Sequence, residues 1–312
     1  MSFQIPPQAK LAQWPGFLIG TFTGLLLISG CSGSNTQHPA TADLEALGAK
    51  VTTNTAGEVH SLAIIKGEDF TDEQMETIGK IETLKSLEIK GAPITDAGLK
   101  KLSGLKQLKK LFIHNSEITD WTPLSSFSNL EQLSLQGSKI DDSGLEHLAN
   151  LSKLKLLNLT DTQVSGPGLA HVQSLPQLER LYLQGTLVDN AGLTHLAHQE
   201  NLTWLNLCKT KVDDSGLEAL GNIPALEVLF LNETNISDDG MAVLKPVILE
   251  KLPKLTVLMV GGTQITDAGL VHFEELTQLE SIQLLDSRIT RAGLEDLWRK
   301  LPNCLIDGPG PG

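Results

Sequence analysis

Histidines, cysteines and paired carboxylates are the side chains from which metal sites and covalent catalysts are built, and this chain carries all three in distinctive spacings. His147, His171 and His195 lie 24 residues apart, each in a Gly-Leu-x-His segment that His272 shares. A ladder of imidazoles would suit a metal or a pH-sensitive face. Asp141-Asp142, Asp213-Asp214 and Asp238-Asp239 would suit calcium if about 6–8 oxygens converged on one point. The three cysteines, Cys31, Cys208 and Cys304, cannot make a disulfide framework and have no metal-ligand spacing. No Gly-rich phosphate loop, zincin signature or Ser/His/Asp arrangement occurs. The expectation is therefore no catalytic residue, no metal and no cofactor.

The elements that hold these residues repeat. Segments beginning at Leu84, Leu108, Leu130, Leu154, Leu178, Leu202, Leu226, Leu255 and Leu279 follow one another at spacings of 24, 22, 24, 24, 24, 24, 29 and 24 residues. Val59-His-Ser-Leu-Ala-Ile is a degenerate earlier copy, and Cys304-Leu305-Ile306 opens a truncated last one. Each unit reads LxxLxLxx(T/S)x(I/V)(T/S/D)DxGLxxLxxLxx. In the LxxLxL part the leucines point inward from a strand and the residues between them point out. The GLxxLxxL part places leucines on one face of a short helix. Thr95, Thr266 and Thr290 read as helix N-caps, with Asp96 and Asp267 facing the helix dipole in the first turn. One unit cannot bury its leucines alone, so the units must stack.

This pattern, over residues 59–306, resembles the leucine-rich-repeat family. The ITDxGL segment, as in Ile94-Thr95-Asp96-Ala97-Gly98-Leu99, is similar to the cysteine-containing subtype known from F-box receptors. Thr162, Thr186, Thr210 and Thr234 stand where that subtype has Cys, and their hydroxyls should satisfy buried loop amides. The 22-residue unit, with Ile118-Thr119-Asp120 and Pro123, resembles an internalin-type repeat and should have a 3₁₀-like connection. The 29-residue unit carries an insertion near Pro246–Glu250, which should lengthen the helical side and leave the strands alone. The resemblance implies an α/β fold: a right-handed solenoid with a parallel sheet on the concave face and short helices on the convex face. About ten strands would give a sheet about 48 Å long. No F-box precedes the array, so a ubiquitin role does not follow.

Phe17 to Gly30 is an uncharged run of fourteen residues, short of the roughly 20 a membrane span needs. It ends in Leu27-Ile28-Ser29-Gly30-Cys31, which resembles a bacterial lipobox, where the cysteine is lipidated and becomes the new N-terminus. An ordinary secretory signal is the alternative. Ser32 after the cysteine is similar to an outer-membrane signal. The expected layout is a lipoprotein signal peptide (1–30), a flexible tether (31–40), an N-terminal cap (41–58), the solenoid (59–307) and a disordered tail (308–312). Loss of residues 1–30 removes one positive charge, Lys10, and takes the formal −13 to −14. Such a surface argues against nucleic acid. The protein is read as an exported, monomeric membrane lipoprotein, at the outer membrane or facing the periplasm.

The outward strand positions are the best site. Arg180, Tyr182, Trp204, Val228, Phe230, Val257 and Met259 fall on four consecutive strands, with Asn206 among them. Tyr, Trp and Arg dominate binding hot spots, and outward apolar residues on a polar sheet need a reason. A protein partner bound there is the leading reading; a structural or adhesive role in the cell envelope, with no single hot spot, is the other. Lys85, Lys90, Lys109 and Lys110, with Glu88 among them, could steer an acidic partner, although solvated surface charge is the plainer account. The histidines line up on the convex side, where helices about 8–10 Å apart hold imidazoles too far apart to share an ion. Helix capping accounts for the acidic pairs. Cys208 is placed on the strand face beside the apolar patch, without a histidine in reach, and Cys304 in the place of a core leucine.

Overall fold

A computed structural model of the chain describes residues 41–197 and 199–308. The expected signal peptide, Cys31, the tether and residues 309–312 of the tail lie outside the described residues. Among the described residues no helix is long and apolar enough to cross a membrane.

Twelve strands form one sheet in sequence order. They are β1 (Lys50–Thr53), β2 (Val59–Ile64), β3 (Ser86–Lys90), β4 (Lys110–His114), β5 (Gln132–Ser134), β6 (Leu156–Asn158), β7 (Arg180–Tyr182), β8 (Trp204–Asn206), β9 (Val228–Phe230), β10 (Val257–Met259), β11 (Ser281–Gln283) and β12 (Leu305–Asp307). β1 runs antiparallel to β2 and carries the one register shift in that pair, beside Thr53. From β2 onward every pairing is parallel. Helix α1 (Ala42–Ala46) precedes β1 and buries Leu44. The central strand leucines, such as Leu181, Leu205, Leu229 and Leu258, are fully buried in one core that runs the length of the array.

Several convex connections are tighter than helices of ordinary α geometry, whereas Asp72–Gly79, Asp96–Lys101 and Arg291–Lys300 are α-helical. Pro167–Ser174, Asp214–Asn222 and Asp267–His272 are 3₁₀ throughout. Asp142–Leu145 and Asn190–Leu193 make one α turn each before passing into 3₁₀. Leucines at i, i+3 and i+6 explain this, because a period of about three residues per turn keeps them on one edge. The 22-residue unit connects through a 3₁₀ segment, Thr122–Ser126, with Pro123 in its first turn. The 29-residue unit forms a 14-residue helix, Asp238–Lys251, while Val257 still pairs with Val228 across β10 and β9.

Side-chain oxygens stitch most coils to the next. Thr95, Thr266 and Thr290 cap their helices through backbone N–H groups. The first-turn aspartates look across rather than along: Asp214 accepts from Ser237 N at 2.8 Å and from Ser237 Oγ at 2.5 Å. Asp72, Asp142, Asp238 and Asp267 make the same two-pronged contact to Thr95, Ser165, Thr266 and Thr290. Where the next cap is itself a carboxylate, Asp213, its partner is Asn190, whose amide donates to it at 2.7 Å. The glycine of the motif follows from this. A Cβ on Gly240 would overlap Asp214 Oδ1, and one on Gly98, Gly269 or Gly293 would overlap the corresponding oxygen of Asp72, Asp238 or Asp267.

The threonine ladder works opposite to expectation. Thr162, Thr186, Thr210 and Thr234 donate to the carbonyls of Leu159, Leu183, Leu207 and Leu231 at 2.6–2.7 Å, so they satisfy strand-end carbonyls rather than loop amides. Cys304 is also corrected. Leu305 pairs with Ser281 and Ile306 with Ile282, which leaves Cys304 level with Glu280 and gives the core place to Ile306.

Candidate binding face

The parallel register turns the outward residues into two rows. Arg180, Trp204, Val228 and Val257 are successive partners in one, and Tyr182, Asn206, Phe230 and Met259 in the other. Trp204 sits at the centre. Its ring centroid lies 6.1 Å from that of Tyr182 and 5.1 Å from that of Phe230. The Arg180 guanidinium stands 5.9 Å from the indole centroid. Tilted aromatic pairs of this kind contribute about 0.5–1.5 kcal/mol beyond their buried area. Val228, Val257 and Met259 pack against Trp204 and Phe230 as a second apolar cluster, separate from the main core.

The cluster covers itself to a degree that residue types do not reveal. Val228, Met259 and Val257 are 2 %, 3 % and 8 % exposed and Tyr182 is 7 % exposed, while Trp204 and Phe230 are half-buried and Arg180 is open. Strands about 4.8 Å apart are narrower than an indole, so the large rings lie over their smaller neighbours. The accessible surface is therefore Arg180, Trp204 and Phe230 on a floor of Val228, Val257 and Met259. Burial pushes the Tyr182 phenol above its ordinary range, and Arg180 offsets part of this through its charge and a hydrogen bond. Asn206 shapes the strand end: its Oδ1 accepts from Cys208 N at 2.9 Å. The Cys208 thiol is buried, and desolvation raises it to about 12, which keeps it from forming a thiolate at neutral pH.

A second group stands on β3–β5. Phe112 and His114 stack with centroids 6.3 Å apart, and His114 Nε2 shares a hydrogen bond with Ser134 Oγ at 3.0 Å. Burial, with Lys90 alongside, lowers His114 to about 4. The basic residues are spread around it: Lys109 pairs with Glu131 at 2.6 Å, while Lys110 faces outward beside Ser86. His114 belongs to a third outward row, one step past the last strand leucine, with Lys90, Cys208 and Asn232. Period-2 alternation carried one step past the last strand leucine places it on this face from the sequence alone.

The remaining candidates do not converge. His147, His171, His195 and His272 are half-buried on separate coils. Among the described residues no three His, Cys, Asp or Glu side chains gather as a metal site requires. Asp141 and Asp213 cap their own helices, and Asp142, Asp214 and Asp238 bond the next coil.

The family model described as "Leucine-rich repeat region" matches residues 75–243, and the chain belongs to that family. No curated protein matches it. Among solved structures it is similar to an internalin from Listeria monocytogenes, at 21 % identity and a TM-score of 0.54, covering 87 % of this chain and 88 % of that one. It is also similar to the leucine-rich-repeat ectodomain of the receptor kinase GASSHO1/SCHENGEN3 from Arabidopsis thaliana, solved in complex with CASPARIAN STRIP INTEGRITY FACTOR 2. That likeness has 18 % identity and a TM-score of 0.50, over 77 % of this chain and 28 % of the receptor chain. At these identities the likeness is one of fold.

Proposed function

We propose that this chain is an exported bacterial lipoprotein that binds a protein partner through its concave face and performs no catalysis. The observation that carries the reading is the Trp204-centred cluster, which stands outside the main core on the face a partner would meet. A stiff array of coils loses little entropy on binding, and the patch combines the residue types that dominate hot spots. The plant ectodomain of like fold, solved with its bound factor, agrees with a binding role. The contact residues would be Arg180, Tyr182, Trp204, Asn206, Val228, Phe230, Val257 and Met259. Residues 1–30 would be removed, Cys31 would carry the lipid, and residues 31–40 would tether a monomeric solenoid (59–307) behind its cap (41–58).

The test of the face compares pull-downs from envelope extract with the full chain and with Tyr182→Ala/Trp204→Ala/Phe230→Ala, after circular dichroism shows that both are folded. A protein retained by the wild type and lost by the variant supports the reading. Identical retention favours the structural or adhesive role instead. The anchor is tested by labelled palmitate: wild-type chain takes up label and sediments with membranes, and Cys31→Ala does neither. Label on the Cys31→Ala chain would sink the lipid assignment.

A further inference from the structure

The outward strand positions reverse the charge balance of the molecule. The chain carries −13 overall, yet the outward residues of β2 to β11 hold Lys90, Lys110 and Arg180 against one carboxylate, Glu88. Among the described residues no carboxylate lies within 4.0 Å of any of these three cations. Glu131, which feels Lys110, is already bonded to Lys109. Glu88 is pushed toward its neutral form by burial, against the pull of Lys90 and Lys50. Lys90 and Lys110 are therefore available to an incoming ligand, and Arg180, which hydrogen-bonds Tyr182, keeps further donors of its five-donor fork for one. Arg180 also lies over the Trp204 ring, and its planar fork is of the kind that matches a carboxylate.

We infer that the partner presents an acidic segment with an apolar end, laid in extended form across β3 to β10. The inference rests on the concave-face reading above and adds the chemistry of the partner. Lys110 on β4 and Arg180 on β7 are three strand steps apart, about 14 Å, which an extended chain spans in about four residues. Beyond Arg180 come Trp204, Phe230 and Met259, a floor for one aromatic or branched side chain. The whole track is seven strand steps, about 34 Å, or about ten extended residues. A helix would need about twenty residues to cover it. The recognised segment thus reads as one acidic residue over Lys110, a second about four positions along at Arg180, and an apolar residue beyond it, with Lys90 at the opposite end of the strands adding to the positive field.

The test is selection of random ten-residue peptides displayed on phage against the immobilised full chain. Parallel selections use Lys90→Glu/Lys110→Glu and Trp204→Ala/Phe230→Ala, each checked for folding by circular dichroism, with Arg180→Gln as a milder third variant. The expected wild-type pool is rich in Asp and Glu on one side of an aromatic or aliphatic residue. A synthetic peptide from it should bind Lys90→Glu/Lys110→Glu about tenfold more weakly, and 1 M salt, with a Debye length of about 3 Å, should weaken it similarly. Selection on the charge-reversed variant should instead yield Lys- and Arg-rich peptides. A neutral or basic wild-type pool that is lost on Trp204→Ala/Phe230→Ala overturns the acidic inference and leaves the concave-face reading standing. No enrichment overturns the acidic-segment inference alone, and a pool indifferent to both Lys90→Glu/Lys110→Glu and Trp204→Ala/Phe230→Ala overturns both readings.

Discussion

At the residue scale, the inter-coil aspartates and the glycines beneath them act as pairs. Asp214→Ala removes a carboxylate that accepts two hydrogen bonds from Ser237, and should cost about 1.5–3 kcal/mol. Gly240→Ala should also destabilise, because its Cβ overlaps Asp214 Oδ1. In the double variant that oxygen is gone, so the Gly240→Ala penalty should shrink. A double-mutant cycle by thermal unfolding checks this, and additive penalties would refute the pairing. His114 makes a pH prediction. Its folded value of about 4 lies below the ordinary 6.5, so the folded state binds the proton less readily than the unfolded chain. The stability is fully present above about pH 6.5 and is lost as the pH falls toward 4. Glu88, raised by burial, acts in the opposite sense. The thermal midpoint of His114→Gln should fall less than that of the wild type across this window; equal falls would exclude the assignment. Cys208, raised to about 12, should resist iodoacetamide at pH 8 in the folded chain and react once the chain is unfolded, as mass mapping would show.

At the element scale, the fold was legible because every coil repeats the same demand. The LxxLxL spacing marks strands whose register must match, and the pairs from Ser61–Ser86 to Ser281–Leu305 keep it throughout. Pro123 marked the 3₁₀ connection and the 29-residue spacing marked the long helix. What misled was local reasoning about groups whose partners lie about 23 residues away. Asp96 stands in the first turn of its own helix as read, but its oxygens also accept from Thr119 and Asp120 in the next coil, a contact that local reading does not reach. The hydroxyl of Thr186 was given to amides, although it donates to the carbonyl of Leu183, which also accepts from Thr186 N. Of the candidate face, the residues and their rows were readable from period-2 alternation. The shielding of Val228, Val257 and Met259 was not, because it depends on how large rings lie over narrow strand spacing. Pro246 sits inside the helix Asp238–Lys251 and is exposed, so Pro246→Ala restores a backbone donor. It should raise stability by about 1–3 kcal/mol, seen as a higher thermal midpoint; an unchanged or lower midpoint would mean that Pro246 serves the packing of its buried neighbours Val247 and Ile248.

At the scale of the whole molecule, one continuous core makes the strands a rigid platform, and the acidic surface leaves the outward strand positions as the place where cations and aromatic rings are offered together. The account therefore stands or falls on which face a partner touches in the cell. The direct measurement is photo-crosslinking from a benzophenone side chain placed at position 230 on the sheet, compared with position 243 on the Asp238–Lys251 helix, where Val243 is exposed to solvent. A discrete protein adduct from position 230, absent from position 243, is the predicted result. Adducts from position 243 alone, or the same set from both positions, would contradict recognition through the concave face.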